Sequence, residues 1–351
     1  MTVSVLVPTT GQWSEVAGFA ALASELGYAS INCSHTRARD SFTTLAALAS
    51  MAPRVRLATA VAPIYHRSPA SMAQTTATLD DLCGGRFRLG LGTGHRITMS
   101  QWHGAEIGRP LTEVREYVGM LRALWSGRNA TDGARWRSEF GFVDFAPRQG
   151  IPIYLAALSR GMIRLAAEIG DGIVLRACPP SYIRDVVVPE IGDVRRAAGL
   201  DLADFDVLAA VPSAATDDVD SAVKGLRSEL HCYFELPFYR AMFIAAGYGD
   251  DVAAFDAAAG GWAAQLNAIS ERLVLDLCAL GDSQTISQVL QRYRDAGATD
   301  PMITQIWGTD FEPTLVAAAE HKATARVSLS EPGRSDGTAA TAGHLGMSGP
   351  P

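Results

Sequence analysis

Gly84 to His95, GGRFRLGLGTGH, decides how this chain is read. An apolar strand, Arg86 to Leu91, runs into a turn in which Gly90, Gly92 and Gly94 recur at alternate positions. Glycine lacks the Cβ that holds other backbones apart. Such a turn therefore either admits a bound ring or phosphate close to backbone amides, or is simply a tight strand-to-helix connection.

The flanking elements give the stretch its place. An apolar run, Val55 to Val61, precedes it by one helix, Pro69 to Leu82, and a second helix, Pro110 to Trp125, follows. That order puts the glycines at the carboxyl end of a strand, where α/β folds hold their ligands. Gly90, Gly92 and His95 spell G-x-G-x-x-H, which lacks the third glycine of a dinucleotide fingerprint and its later acidic residue. With no lysine and serine or threonine after the turn, a phosphate-binding P-loop is also excluded.

The same alternation extends outward in both directions. Val3 to Val7 with Ser14 to Leu26, Ala29 to Cys33 with Ser41 to Ser50, and Val55 to Val61 with Ser71 to Leu82 form three strand-helix units before the glycine strand and its helix make the fourth. Ile151 to Ala156 with Met162 to Ile169, Gly172 to Leu175 with Tyr182 to Ala198, and Phe205 to Val211 bring the strands to seven. Pro301 to Trp307 and a helix Phe311 to Lys322 complete eight. Eight alternations predict a (β/α)8 TIM barrel of residues 1–325, and a doubly wound open sheet is the alternative.

Two segments interrupt the repeat. Gly127 to Gly150, with Trp136, Phe140, Phe142 and Phe145, reads as a hairpin or covering loop. Asp217 to Arg272 reads as a helical insertion after strand 7, dense in aromatic residues including Phe238, Tyr239 and Trp262. It either caps a substrate pocket or packs against the barrel or a second subunit. From Arg326 the composition turns to small and polar residues, so Ser328 to Pro351 is expected to be a disordered C-terminal tail.

The 351 residues, 48% hydrophobic and 19% charged, describe an ordinary globular protein. A net charge of −7 argues against a nucleic-acid surface. No apolar run reaches the roughly 20 residues that cross a bilayer, and the opening MTVSVLVPTTGQWSE has no basic leader region, so a cytoplasmic location without membrane contact is expected. The five cysteines form no C-x-x-C pair, as expected of reduced thiols. No H-E-x-x-H or related spacing points to a metal, and no G-x-S-x-G to a serine nucleophile.

Two runs, VRLATAVAPIYHRSPASMAQTTATLDDLCGGRFRLGLGTGH and YLAALSRGMIRLAAEIGDGIVL, resemble the luciferase-like flavin and deazaflavin enzymes, a likeness that covers most of residues 3–310. The form LGLGTG is more similar to the branch that uses the deazaflavin coenzyme F420 than to FMN alkane monooxygenases. The resemblance implies hydride transfer from reduced F420 to a C=C or C=N bond of a small-molecule or peptide-derived substrate. An FMN-dependent monooxygenase and a non-catalytic flavin-binding barrel subunit are the alternatives, and a homodimer is the implied assembly.

The resemblance also assigns residues. His35 matches the family histidine near the reactive edge of the ring, and an imidazole suits proton transfer there. Ser34 stands where many relatives carry an aspartate, and Thr36 to Arg39 where some have a tryptophan, which tells against alcohol or sugar-phosphate oxidation by that arrangement. Ala60 and Val61 match a position where the family often holds a non-proline cis peptide behind the ring. Thr93, Gly94 and His95 follow the fourth strand, His95 in place of a frequent acid. It is a second proton-handling candidate.

Ala157, Leu158, Ser159, Arg160, Gly161 and Met162 match the loop whose amides and helix amino terminus bind the cofactor phosphate. Tyr65, His66 and Arg67 either line the pocket or form a partly exposed loop, and Trp307 is placed at the pocket floor or wall.

Overall fold

A computed structural model of the chain describes residues 2–128 and 133–328. Eight parallel strands close on themselves: β1 (Ser4–Leu6), β2 (Ser30–Cys33), β3 (Arg56–Thr59), β5 (Phe87–Gly92), β6 (Ile153–Ala156), β7 (Gly172–Leu175), β8 (Asp206–Ala214) and β10 (Asp300–Gln305). Closure comes from β10 pairing both β1 and β8, as in Ser4 with Met302 and Ile303 with Val211. The chain is a (β/α)8 TIM barrel, and the open-sheet alternative falls. Both faces of these strands are buried, which is why they read as near-continuous apolar runs.

Helices α1 (Trp13–Glu25), α2 (Ser41–Leu48), α3 (Pro69–Leu82), α4 (Arg96–His103), α5 (Pro110–Trp125) and α6 (Arg160–Ile169) wrap the first strands. Their starts follow local chemistry. Asp40 and Ser68 accept from the Thr43 and Ser71 amides, and Pro69 supplies a first helical residue that needs no donor. The helix expected over Tyr182 to Ala198 is instead a short α7 (Pro180–Tyr182), a widened turn Ile183–Val187 and α8 (Val188–Ala197). Pro189 has no N–H and its ring crowds the preceding turn, so the backbone widens there.

The insertion holds α9 (Val219–Phe234), α10 (Pro237–Ala245), α11 (Gly249–Ala257) and α12 (Trp262–Ala268), followed by α13 (Glu271–Leu277). Its aromatics join the main core, where Phe234 stacks on Phe243 at 4.9 Å and on Phe255 at 5.0 Å. A two-residue strand, β9 (Ala279–Leu280), then rejoins β8, and α14 (Ser283–Asp295) and α15 (Glu312–Ser328) finish the barrel. The tail expected beyond Ser328 lies outside the described residues.

Between residues 133 and 150 the chain is a covering loop without a hairpin. Glu116 on α5 holds it, accepting from the Arg135 and Trp136 amides at 2.9 and 2.7 Å. Trp136 packs edge-on against Tyr117 at 5.0 Å.

The amino-terminal end of the barrel interior is polar. Arg88, buried on β5, lies 3.6 Å from Asp206 and 3.7 Å from Asp300 and donates to the Tyr154 hydroxyl at 3.0 Å. Ser4 donates to Asp300 at 2.7 Å, and Ser30 and Asn32 extend the network. Above it Tyr154, Val174, Leu208, Ala210 and Met302 form an apolar layer with Leu6, Ala60 and Val61.

Candidate active site

The carboxyl-terminal mouth begins where β3 breaks. The Ala60–Val61 peptide bond is cis, and after it the chain resumes as β4 (Ala62–Pro63), a two-residue strand that pairs with Leu91 and Gly92. Two glycines of the opening stretch have their explanation here. A Cβ on Gly90 would sit 1.9 Å from the Thr59 carbonyl oxygen, and one on Gly92 would sit 2.8 Å from Val61 Cγ2. Thr59 is tied to the same place, its hydroxyl donating to the Gly90 carbonyl at 2.8 Å and accepting from the Gly90 amide at 2.9 Å.

Gly90 and Gly92 are thus residues of β5 that make room for the bulge, and only Gly94, at φ 67°, lies in the turn. This corrects the expectation of a three-glycine turn offering its amides to a ligand. Steric exclusion of Cβ by the neighbouring strand is the physical reason.

His35 projects from the loop after β2. The Ser41 amide donates to His35 Nδ1 at 3.3 Å and the Ser41 hydroxyl lies 2.9 Å from the same atom. Accepting at Nδ1 leaves the proton of the neutral ring on Nε2. Burial lowers its pKa below the ordinary histidine value, opposed by the Asp40 carboxylate at 3.7 Å. Burial would raise Asp40, but the Thr43 amide and Arg67 outweigh it and hold Asp40 down at about 2.

Two more histidines continue from His35. His66, after β4, has its ring centroid 5.0 Å from that of His35, and His103, at the end of α4, lies 3.9 Å from His66. His66 Nε2 is buried without a hydrogen-bond partner. Burial, then the neighbouring His103 and His35, push His66 down to about 4. From sequence His66 either lines the pocket or sits in a partly exposed loop, and His103 carries no signal. Helix α4 buries only Met99 and so presents no apolar stripe to read.

His95 does not join this row. It stacks on Phe238 at 5.7 Å and approaches Tyr239 at 6.1 Å, both from α10, so the insertion reaches over the mouth. Burial alone lowers its pKa, and its Nδ1 is buried without a partner. Thr93 is half-buried beside it, and its hydroxyl donates to the Gly94 carbonyl at 3.2 Å.

On the far side of the mouth Ala157 and Leu158 lead into α6, capped by Ser159, whose hydroxyl accepts from the Met162 amide at 3.4 Å. The Leu158 carbonyl accepts from Tyr182 at 2.7 Å. Gly161 faces Leu111, which a Cβ would approach to 3.3 Å. Arg160 donates to Glu190, which also takes Arg164 at 2.9 Å, so its charge is already engaged.

Arg176, just past β7, was not singled out from sequence. It donates to Glu229 and Tyr233 of α9 and to Thr304, each at 3.2 Å, and so ties the insertion to the barrel. Trp307 is 70% exposed, so it forms neither floor nor wall of the pocket. Its amide donates to Glu229 at 2.6 Å. Among the described residues no group of three His, Cys, Asp or Glu is arranged to hold a metal ion, and no helix is long and apolar enough to cross a membrane.

A luciferase-like monooxygenase family model matches residues 1–300. The chain belongs to that family. It is 32% identical over 198 residues to a 5,10-methylenetetrahydromethanopterin reductase of Methanolobus tindarius, a match covering 56% of this chain and 60% of that one. A Mycobacterium tuberculosis protein named for coenzyme F420-dependent oxidoreduction is 28% identical over 310 residues, covering 81% of this chain and 88% of its own length. Among solved structures, the coenzyme F420-dependent tetrahydromethanopterin reductase of Methanopyrus kandleri superposes with a TM-score of 0.74 at 19% identity, over 91% of this chain and 97% of that one. That likeness shows the shared barrel.

Proposed function

We propose that this family member is an F420-dependent oxidoreductase working as a reductase, delivering a hydride to a C=C or C=N bond of a small-molecule or peptide-derived substrate. One observation carries the reading: the Ala60–Val61 bulge, seated on Gly90 and Gly92, stands at a mouth where His66 and His95 each bury a ring nitrogen without a partner. The names of the relatives support F420 as the cofactor.

The residues present fit such a group. Ala60 and Val61 would back the ring, and His95 Nδ1, buried and unpartnered, would meet a polar atom of the bound group. The Ser159-capped start of α6, with the amides from Ala157 to Met162, would suit a phosphate, Thr93 and Gly94 would border the ring, and Phe238 and Tyr239 would shield it from water. When bound, reduced F420 supplies a hydride and does not activate oxygen as a reduced flavin does. His35, when charged, would supply the accompanying proton from Nε2 while its Nδ1–H stays on the Ser41 hydroxyl. The same reading takes residues 1–325 as one domain, in a cytoplasmic homodimer.

Titration of the full chain with oxidised and reduced F420 and with FMN, followed by fluorescence, tests the proposal. Saturable F420 binding is expected, and selective FMN binding overturns it. Light scattering of the same samples reads the dimer.

A further inference from the structure

The reduction proposed above consumes one proton per hydride, and His35 must be reloaded after each turnover. The three rings lie in a row with the outermost at the surface: His103 is exposed, His66 half-buried, and His35 at the mouth. Their centroids are 3.9 and 5.0 Å apart, a spacing that one bridging water can span between successive rings. No opposing carboxylate or backbone carbonyl takes up His66 Nε2, which is buried and unpartnered. A structural histidine normally spends such a nitrogen on a fixed hydrogen bond.

We propose that His103, His66 and His35 form a proton relay between solvent and the reacting centre, with His66 the positioning residue through which His35 is recharged. This inference rests on the reading of His35 as the proton donor.

The step moves protons only. The charged His35 ring gives up its Nε2 proton and keeps Nδ1–H on the Ser41 hydroxyl. Nε2 is then refilled from one nitrogen of His66, while the other takes a proton from His103, which is refilled by water. Each ring returns to its starting charge, and Ser41 serves His35 in every state, since its amide donates to a bare Nδ1 and its hydroxyl accepts from Nδ1–H.

The surrounding charges keep the middle ring neutral, the state able to accept at one nitrogen and donate at the other. Arg67 lies beside it on its own loop, with its guanidinium on Asp40 at 2.8 Å and over the Phe42 ring at 4.5 Å. Asp40 faces the row from the start of α2 and His103 from α4, while Arg37, on the loop after β2, lies over Trp102 at 5.6 Å. The cationic side of this set disfavours a charged His66, and Asp40 is engaged by Arg67.

The test is solvent exchange of the His35 ring N–H, measured by NMR on the full chain with 15N-labelled histidine and no cofactor added. Relay through His66 predicts that His66→Gln slows this exchange at least about tenfold, and that His103→Gln, at an exposed position that the fold tolerates, slows it as well. Free imidazole is expected to restore the rate in His66→Ala. Exchange within about twofold of wild type in His103→Gln, or slowing in His66→Ala that imidazole leaves in place, overturns the relay. Because F420 is absent from the measurement, failure of the relay and failure of the F420 titration are read separately.

Discussion

At the amino-terminal end of the barrel Arg88 faces Asp206 and Asp300 at 3.6 and 3.7 Å, whereas at the carboxyl-terminal mouth His66 and His95 each bury a ring nitrogen that meets no partner. Both ends place polar atoms inside an apolar fold, where an unmatched group is costly. At one end opposite charges of the protein face each other, although Arg88 Nε and Nη2, Asp300 Oδ1 and Asn32 Oδ1 also lack hydrogen-bond partners. At the other, the unpartnered nitrogens belong to imidazoles at the open mouth, where an external molecule can meet them.

Removing the internal answer at the lower end should have the largest effect. Arg88→Met leaves the Asp300 carboxylate buried without its cation, and a loss of about 3 kcal/mol in chemical denaturation at neutral pH is expected. The sign with pH follows from Asp300, whose pKa burial already raises against the pull of Ser4 and Arg88. Without Arg88 it rises further, so the folded variant holds its proton to higher pH than the unfolded chain does. The variant should then recover stability as pH falls from neutral toward the ordinary aspartate value of 3.8. A deficit that does not shrink on acidification would show that Asp300 is answered by other groups.

Gly90→Ala tests the mouth by packing alone. The added methyl would meet backbone, the Thr59 carbonyl, at 1.9 Å, and a loss of up to about 3 kcal/mol is expected. A variant as stable as wild type would mean that β3 can retreat. Thr59→Val removes both hydrogen bonds to Gly90 while keeping the volume, with an expected cost of about 1–2 kcal/mol in the same assay.

Two smaller effects probe the histidines. His66 titrates at about 4 when folded against 6.5 ordinarily, so the unfolded chain binds more protons between those values. Melting temperature should fall as pH drops from 6.5 to 4 and level off below, and His66→Gln should flatten that slope. An unchanged slope would assign the acid sensitivity to other groups. Phe238→Ala, at a 40% exposed position, should cost less than about 1 kcal/mol while raising the His95 pKa, since burial is what depresses it. An NMR titration in which His95 does not move would show that α10 is not what dries it.

Much of the fold was legible because strand-helix alternation repeats. Pro69–Leu82 and Pro110–Trp125 match the expected helices to within two residues, since proline starts are local signals. Helix α4 was not legible because one buried methionine makes no stripe, and the break at Pro189 was missed because its effect shows only when a helix is already assumed. At the mouth, His35, Ala60, Val61 and His95 were candidates through a family resemblance, whereas Arg176 and His103 there, and Arg88 at the opposite end of the barrel, were not. Each of these three owes its place to residues far along the chain, as Arg176 does to Glu229 and Thr304.

The order of apolar runs and turn residues by itself determined the barrel, the insertion after the seventh strand, and which loops form the mouth, because hydrophobic periodicity and capping act over a few residues. What the glycines of GGRFRLGLGTGH are for was decided only by tertiary structure. Gly90 and Gly92 are small because the bulge of a neighbouring strand occupies the space their side chains would need. Which histidines share a row and which sits under an aromatic lid was settled in the same way, since such contacts join loops that only barrel closure brings together.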